Sequence, residues 1–108
     1  MGKYDFKISI GPEEAFKLIK ENQGAELVHE EFFNLGEGKH IGILVYEKYY
    51  FRAGNKVALI IIVDNFKGYT GVRSISTGSS SSAFFDLDWG AADNFAGSVK
   101  SILKDFID

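Results

Sequence analysis

A chain of 108 residues has room for one domain with a genuine core, since it can bury roughly two-thirds of its unfolded surface. It contains no cysteine, which excludes a disulfide framework and a thiolate metal site. Twelve basic residues stand against fifteen acidic ones, a balance with no long-range pull on nucleic acid or on anionic lipid.

The segment from Met1 to Lys7 lacks the charged-then-apolar layout of a signal peptide. The longest aliphatic run, Val57 to Val63, is seven residues, far below the ~20 needed to span a bilayer. A cytoplasmic protein is therefore expected, and the lack of cysteine is compatible with that reducing compartment. A single proline and twelve glycines suit a compact sheet protein with tight turns rather than a disordered chain.

Tyr4, Phe6, Ile8 and Ile10 alternate with Asp5, Lys7 and Ser9, the period of a half-buried strand. Gly11-Pro12-Glu13-Glu14 then opens a helix, because proline is tolerated at the first helical position and carboxylates suit the positive end of the dipole. Ala15, Phe16, Leu18 and Ile19 form its apolar stripe, and Asn22-Gln23-Gly24 ends it. Ala25 to Leu35 reads as a second strand with imperfect alternation, followed by a turn at Gly36-Glu37-Gly38. His40 to Phe51 is a third strand, Lys56 to Asp64 a fourth and Tyr69 to Thr77 a fifth. Short connections predict that strands two to five form an antiparallel meander. The position of the first strand is left open. Gly78-Ser79-Ser80-Ser81-Ser82 is loop by composition, and Ala83 to Leu87 adds a short extended piece. Asp88 is placed as N-cap of a last helix, in which Phe95, Val99, Ile102, Leu103 and Phe106 recur at helical spacing.

The predicted fold is thus one α+β domain over residues 1–108, in the order β-α-β-β-β-β-α, with both helices packed on one face of the sheet. This element order resembles the TATA-box-binding-protein-like, or helix-grip, architecture. Such a likeness carries no function with it.

Gly54-Asn55 suits a two-residue hairpin loop. That loop pairs Ala53 with Lys56, Phe51 with Ala58, Tyr49 with Ile60 and Glu47 with Ile62. One face then gathers Ile41, Ile43, Val45, Tyr49, Phe51, Ala58, Ile60 and Ile62, and is assigned to the helices. The other holds Leu44, Tyr46, Tyr50, Val57, Leu59, Ile61 and Val63, with Lys48 and Arg52 among them. An outward face should be mostly polar. Leaving seven apolar residues wet forgoes on the order of 10 kcal/mol and leaves a sticky patch. A cover is therefore expected: a second copy of the chain, the 78–88 segment folding back, or a ligand.

No constellation of catalytic residues emerges. His29 and His40 are eleven residues apart, without the spacing of a metal-binding pair. Asp86 and Asp88 share one side of an extended segment with Asp93 near, yet no calcium-loop pattern surrounds them. The serine run lacks both a nucleophile elbow and the glycines and lysine of a phosphate loop. Lys67-Gly68-Tyr69-Thr70-Gly71-Val72 echoes an RNA-recognition signature, but Gly71 removes a stacking aromatic and the element order is wrong. No metal, cofactor, nucleic acid or membrane is expected, and an enzyme is the least favoured class. Arg52 and Arg73, the only arginines, have a planar fork suited to a carboxylate or phosphate, or to a strand-end ion pair. Trp89 anchors the last helix. The candidate ligand or interface residues are Leu44, Tyr46, Tyr50, Arg52, Leu59, Ile61, Val63, Arg73 and Trp89.

The segments Tyr46-Glu47-Lys48-Tyr49-Tyr50-Phe51-Arg52-Ala53-Gly54-Asn55 and Phe84-Phe85-Asp86-Leu87-Asp88-Trp89-Gly90-Ala91 resemble those of a family of uncharacterised small bacterial domains of unknown function. The resemblance implies no catalytic residue, cofactor or substrate. Two functions stay open: an interaction domain that self-associates as a homodimer through its sheet, or a binder of a small apolar ligand in a pocket between sheet and C-terminal helix.

Overall fold

A computed structural model describes residues 2–50, 54–78 and 85–108. The strands are β1 (Gly2–Ile8), β2 (Glu26–Gly36), β3 (Lys39–Tyr50), β4 (Asn55–Asp64) and β5 (Thr70–Gly78). The helices are α1 (Pro12–Asn22) and α2 (Phe85–Ile102), followed by a 3-10 turn, Lys104–Phe106. The fold is α+β, with a five-stranded antiparallel sheet in the order β1-β5-β4-β3-β2. β2, β3, β4 and β5 pair in chain order, while β1 leaves that order and lies beside β5.

Helix α1 starts where the sequence predicts, with Gly11 as N-cap, Pro12 in the first turn and Glu13 and Glu14 beside it. It buries Ala15, Phe16 and Ile19. β2 carries a bulge between Leu27 and His29, which accounts for its imperfect alternation: one extra residue flips the pattern partway along the strand. At the next turn Gly36, Glu37 and Gly38 all adopt positive φ, 84°, 57° and 76°. The free edge of β1 is partly closed by the C-terminus, through Ser9 N–H to Phe106 C=O at 2.8 Å and Asp108 N–H to Lys7 C=O at 3.0 Å.

Three expectations are corrected. The β3–β4 hairpin is not closed by Gly54-Asn55 alone. Tyr50 pairs with Asn55, so the register places Glu47 against Ala58 and Tyr49 against Lys56, four residues from the predicted pairing. Gly54 has φ of 71°, but Asn55 is already in the paired strand. Because the shift is even, residues that were grouped on one face stay together. Second, α2 begins at Phe85, which puts Asp86, Leu87 and Asp88 within the helix rather than on an extended segment or at its cap. The Phe95–Val99 periodicity defines the stripe of a helix but not its first turn.

Third, the two faces of the sheet are exchanged. Leu44, Val57, Leu59, Ile61 and Val63 are fully buried and Tyr46 is 2% exposed. They form one core with Ala15, Phe16 and Ile19 of α1 and Phe95, Ala96 and Val99 of α2. The face assigned to the helices is instead the one they leave open. The reason is visible in the register. The buried row runs Phe6–Val72–Val63–Gly42–Phe32, and the next runs Tyr4–Ser74–Ile61–Leu44–Glu30. β1 is apolar on one face only, and its polarity is handed across the sheet by pairing. Ser74 fits the same logic: fully buried, it donates its hydroxyl to Ala96 C=O at 2.8 Å, and its small size lets α2 approach.

Candidate functional site

The open face is built from alternate residues of all five strands. One row runs Lys3–Ile75–Ile60–Val45–His29 and the next Asp5–Arg73–Ile62–Ile43–Glu31. Both rows are apolar in the middle and charged or polar at their ends. Ile41, Ile43, Val45, Ala58, Ile60, Ile62 and Ile75 are half-buried. Phe33 and Tyr49 stand 45% and 56% exposed at the margins. Among the described residues neither helix packs on this face: the strand residues in their core all point the other way.

The polar margin is organised. Arg73 Nη2 donates to Asp64 Oδ2 at 3.2 Å, so this arginine meets the strand-end ion pair foreseen for it while its side chain stays 46% exposed. Around it lies a shallow cleft with Lys3, Asp5, Phe66, Lys67 and Tyr69, and Lys7 Nζ sits 4.7 Å above the Tyr69 ring. Along the opposite margin His29 Nε2 lies 3.4 Å from Glu31 Oε1, and Lys56 Nζ 3.8 Å from Glu47 Oε1.

Of the residues predicted from sequence as ligand or interface candidates, Leu44, Tyr46, Leu59, Ile61 and Val63 lie under the helices and are out of reach of any partner. Tyr50 ends β3 and Trp89 lies in α2, with side chains outside the described residues, as is the whole of Arg52. Only Arg73 is placed on the open face. Ile75 escapes the sequence reading, although the alternation of Arg73, Ile75 and Thr77 with Val72, Ser74 and Ser76 marks it as facing away from the core. The gap expected between sheet and C-terminal helix is filled along the described turns of α2 by Phe95 and Val99, and just past its end by Leu103, each 0–2% exposed.

Among the described residues no cluster of three or more potential metal ligands occurs around either histidine. His40 instead lies 5.7 Å from the Phe32 ring, and its backbone N–H donates to Asn65 Oδ1 at 2.9 Å. Asp93 accepts a hydrogen bond from the Tyr4 hydroxyl at 3.2 Å, which raises the Tyr4 pKa. The serine run beyond Gly78 lies outside the described residues. No helix among the described residues is long and apolar enough to cross a membrane.

Tyr46 is the one buried side chain whose polar atom has no hydrogen-bond partner among the described residues. Burial, with a smaller contribution from the Glu30 carboxylate, pushes its phenol above the usual 10.0. A neutral hydroxyl without a partner gives back nothing for its lost hydration. Tyr46→Phe is therefore expected to leave stability at pH 7 within about 1 kcal/mol of wild type, or to raise it. The unfolded chain ionises this phenol at a lower pH than the folded chain, so wild-type stability falls as pH rises above 10.0. Urea melts across that range should show a shallower fall for Tyr46→Phe. A large loss at pH 7 would mean that the hydroxyl holds a partner.

No curated protein and no solved structure matches the chain. A family model does, over residues 1–107, and its description is a family of unknown function (DUF6054). With nearly every residue inside that match, the chain belongs to DUF6054.

Proposed function

We propose that this is a non-catalytic interaction domain whose open sheet face pairs with a second copy of the chain. The observation that carries this reading is the contiguous apolar centre on three neighbouring strands, Ile43 and Val45 on β3, Ile60 and Ile62 on β4 and Ile75 on β5, with neither helix over it. One face of an antiparallel sheet that meets water is ordinarily polar. The size is adequate. Five strands ~4.8 Å apart, the shortest of them 7 residues long, give a face of at least roughly 550 Å² in plan. Two such faces supply about the 1,000 Å² that a specific interface needs. A second copy is favoured as occupant because symmetric self-pairing is the commonest association of soluble proteins. The core-filling contacts of Phe95, Val99 and Leu103 disfavour an apolar ligand under α2.

The β-α-β-β-β-β-α order with both helices on one face supports the helix-grip resemblance, and a cysteine-free chain suits a bacterial cytoplasm. Sedimentation at tens of micromolar should show a dimer for the wild type. Ile60→Lys, on the open face, should sediment as a folded monomer. A monomeric wild type at that concentration refutes the reading.

A further inference from the structure

The cleft beside Arg73, about 350 Å³ in volume, lies at one corner of the open face, where the β4–β5 turn meets β1 and β5. Gly71 and Arg73 of β5 line it together with Phe66, Lys67 and Tyr69 of the turn. The hollow exists because one row of the sheet has a gap. That row runs Lys7–Gly71–Asp64, and a Cβ at Gly71 would meet nothing nearer than Tyr69 Cε2, at 3.7 Å.

The turn that carries the two rings is tied down. Asn65 Nδ2 donates to Gly38 C=O at 2.8 Å, and Asn65 Oδ1 accepts from His40 N–H at 2.9 Å. Phe66 N–H donates to Asp64 Oδ1 at 3.3 Å, and Gly68 N–H donates to Asn65 C=O at 3.3 Å. Phe66 and Tyr69 are still 44% and 38% exposed. They are aromatic side chains on an ordered support with much of their surface in water.

The charge of this corner runs against that of the chain, whose net charge is −3. Lys3, Lys7, Lys67 and Arg73 stand against Asp5 and Asp64, four cations to two anions. Asp64 is occupied on both oxygens, by Phe66 N–H and by Arg73 Nη2 at 3.2 Å. The second contact aims the guanidinium and engages one of its five donors. Lys3 and Lys67 form no ion pair among the described residues.

We propose that this cleft binds a small aromatic anion, a planar ring system carrying a carboxylate or a phosphate. The ring lies against Phe66 and Tyr69, and the anionic group takes the remaining donors of Arg73 with Lys67 and Lys3 beside it. The guanidinium fork matches the paired oxygens of either anion, and the aromatic side chains supply the apolar contact. The volume stands at the small end of the ~300–1,000 Å³ of ligand sites, which fits one ring system and excludes a dinucleotide. Every contributing residue comes from one chain, so the site does not depend on self-association.

Amide spectra of the ¹⁵N-labelled full chain test this, with adenosine 5′-monophosphate, indole-3-acetate, adenosine and inorganic phosphate each titrated into the millimolar range. At least one ring anion should give saturable shifts centred on residues 66–73, with an affinity about tenfold or more above those of adenosine and phosphate, which each carry half of the chemistry. The tighter of the two ring anions identifies the group as phosphate or carboxylate. Arg73→Gln should weaken binding about tenfold or more. Should that variant fail to fold, Lys67→Gln, at an exposed position, carries the charge test with a loss of severalfold. Gly71→Val keeps every charge, suits a strand and fills the hollow, so it should fold, as a thermal melt verifies, and lose binding. Absence of saturable shifts with both ring anions overturns the proposal. An equal response to inorganic phosphate, which marks an adventitious ion only, overturns it too, as does full binding by a folded Arg73→Gln or Gly71→Val.

Discussion

Ile61→Ala is expected to cost about 2–5 kcal/mol, the loss for truncating a buried aliphatic side chain without collapse of the site. In a domain of this size that lowers the melting temperature by roughly 10 °C or more. Its neighbour Ile60→Ala, measured dilute enough to be monomeric, should cost less than Ile61→Ala by at least about 1 kcal/mol, since its side chain is only partly buried. The two residues are adjacent in sequence and chemically identical. They differ in that Ile61 is fully buried against the helices and Ile60 lies on the open face. Under the proposed self-association the order of effects on pairing reverses, with Ile60→Ala weakening it and Ile61→Ala acting through folding alone. Paired urea denaturation and sedimentation series measure both. Equal losses of stability, or a larger loss at Ile60, would show that the helices cover the other face.

Gly42→Val is expected to destabilise the fold by about 1–3 kcal/mol, the ordinary cost of overpacking a filled core. A Cβ at this position would sit 2.5 Å from Phe16 Cδ1, 3.0 Å from Phe16 Cε1 and 3.0 Å from Phe32 Cδ2. The two rings pack edge to face with centroids 5.1 Å apart, joining α1 to β2 directly over this glycine. Glycine inside a strand normally weakens it; here it opens the space for α1 to dock. The double variant Phe16→Leu with Gly42→Ala should be more stable than the sum of the single effects predicts, because the smaller side chain makes room for the added methyl. Strict additivity in denaturation curves would show that the ring moves aside without cost.

Much of this architecture is legible in the residues. Pro12 with Glu13 and Glu14 marks the start of α1, and Gly36-Glu37-Gly38 marks a turn that needs three positive φ angles. Alternation in Tyr4 to Ile8 places a half-buried strand, and helical spacing from Phe95 to Leu103 places the core stripe of α2. The broken alternation of β2 is legible in hindsight as a bulge at Val28, beside Leu27 and His29. The candidate site was legible only as a question. The sequence shows that β3 and β4 are apolar on both faces, and therefore that one face needs a cover from outside the sheet.

Which face the helices take is a tertiary matter. Local pattern cannot rank Ile60 and Ile62 against Leu59 and Ile61, since both sets are aliphatic and β-compatible. The choice is made where β1 pairs with β5, a contact between residues some seventy positions apart. Through it the one-sided polarity of Tyr4, Phe6 and Ile8 passes to Val72 and Ser74, and from there to Val63 and Ile61. Gly42 and Ser74, which lack bulk, then let α1 and α2 close on that side. The sequence by itself determined the elements, their order and the existence of a second apolar face. The tertiary structure decided that this face is Ile43, Val45, Ile60, Ile62 and Ile75, because strand pairing carries facial polarity across a sheet and no single strand holds that information alone.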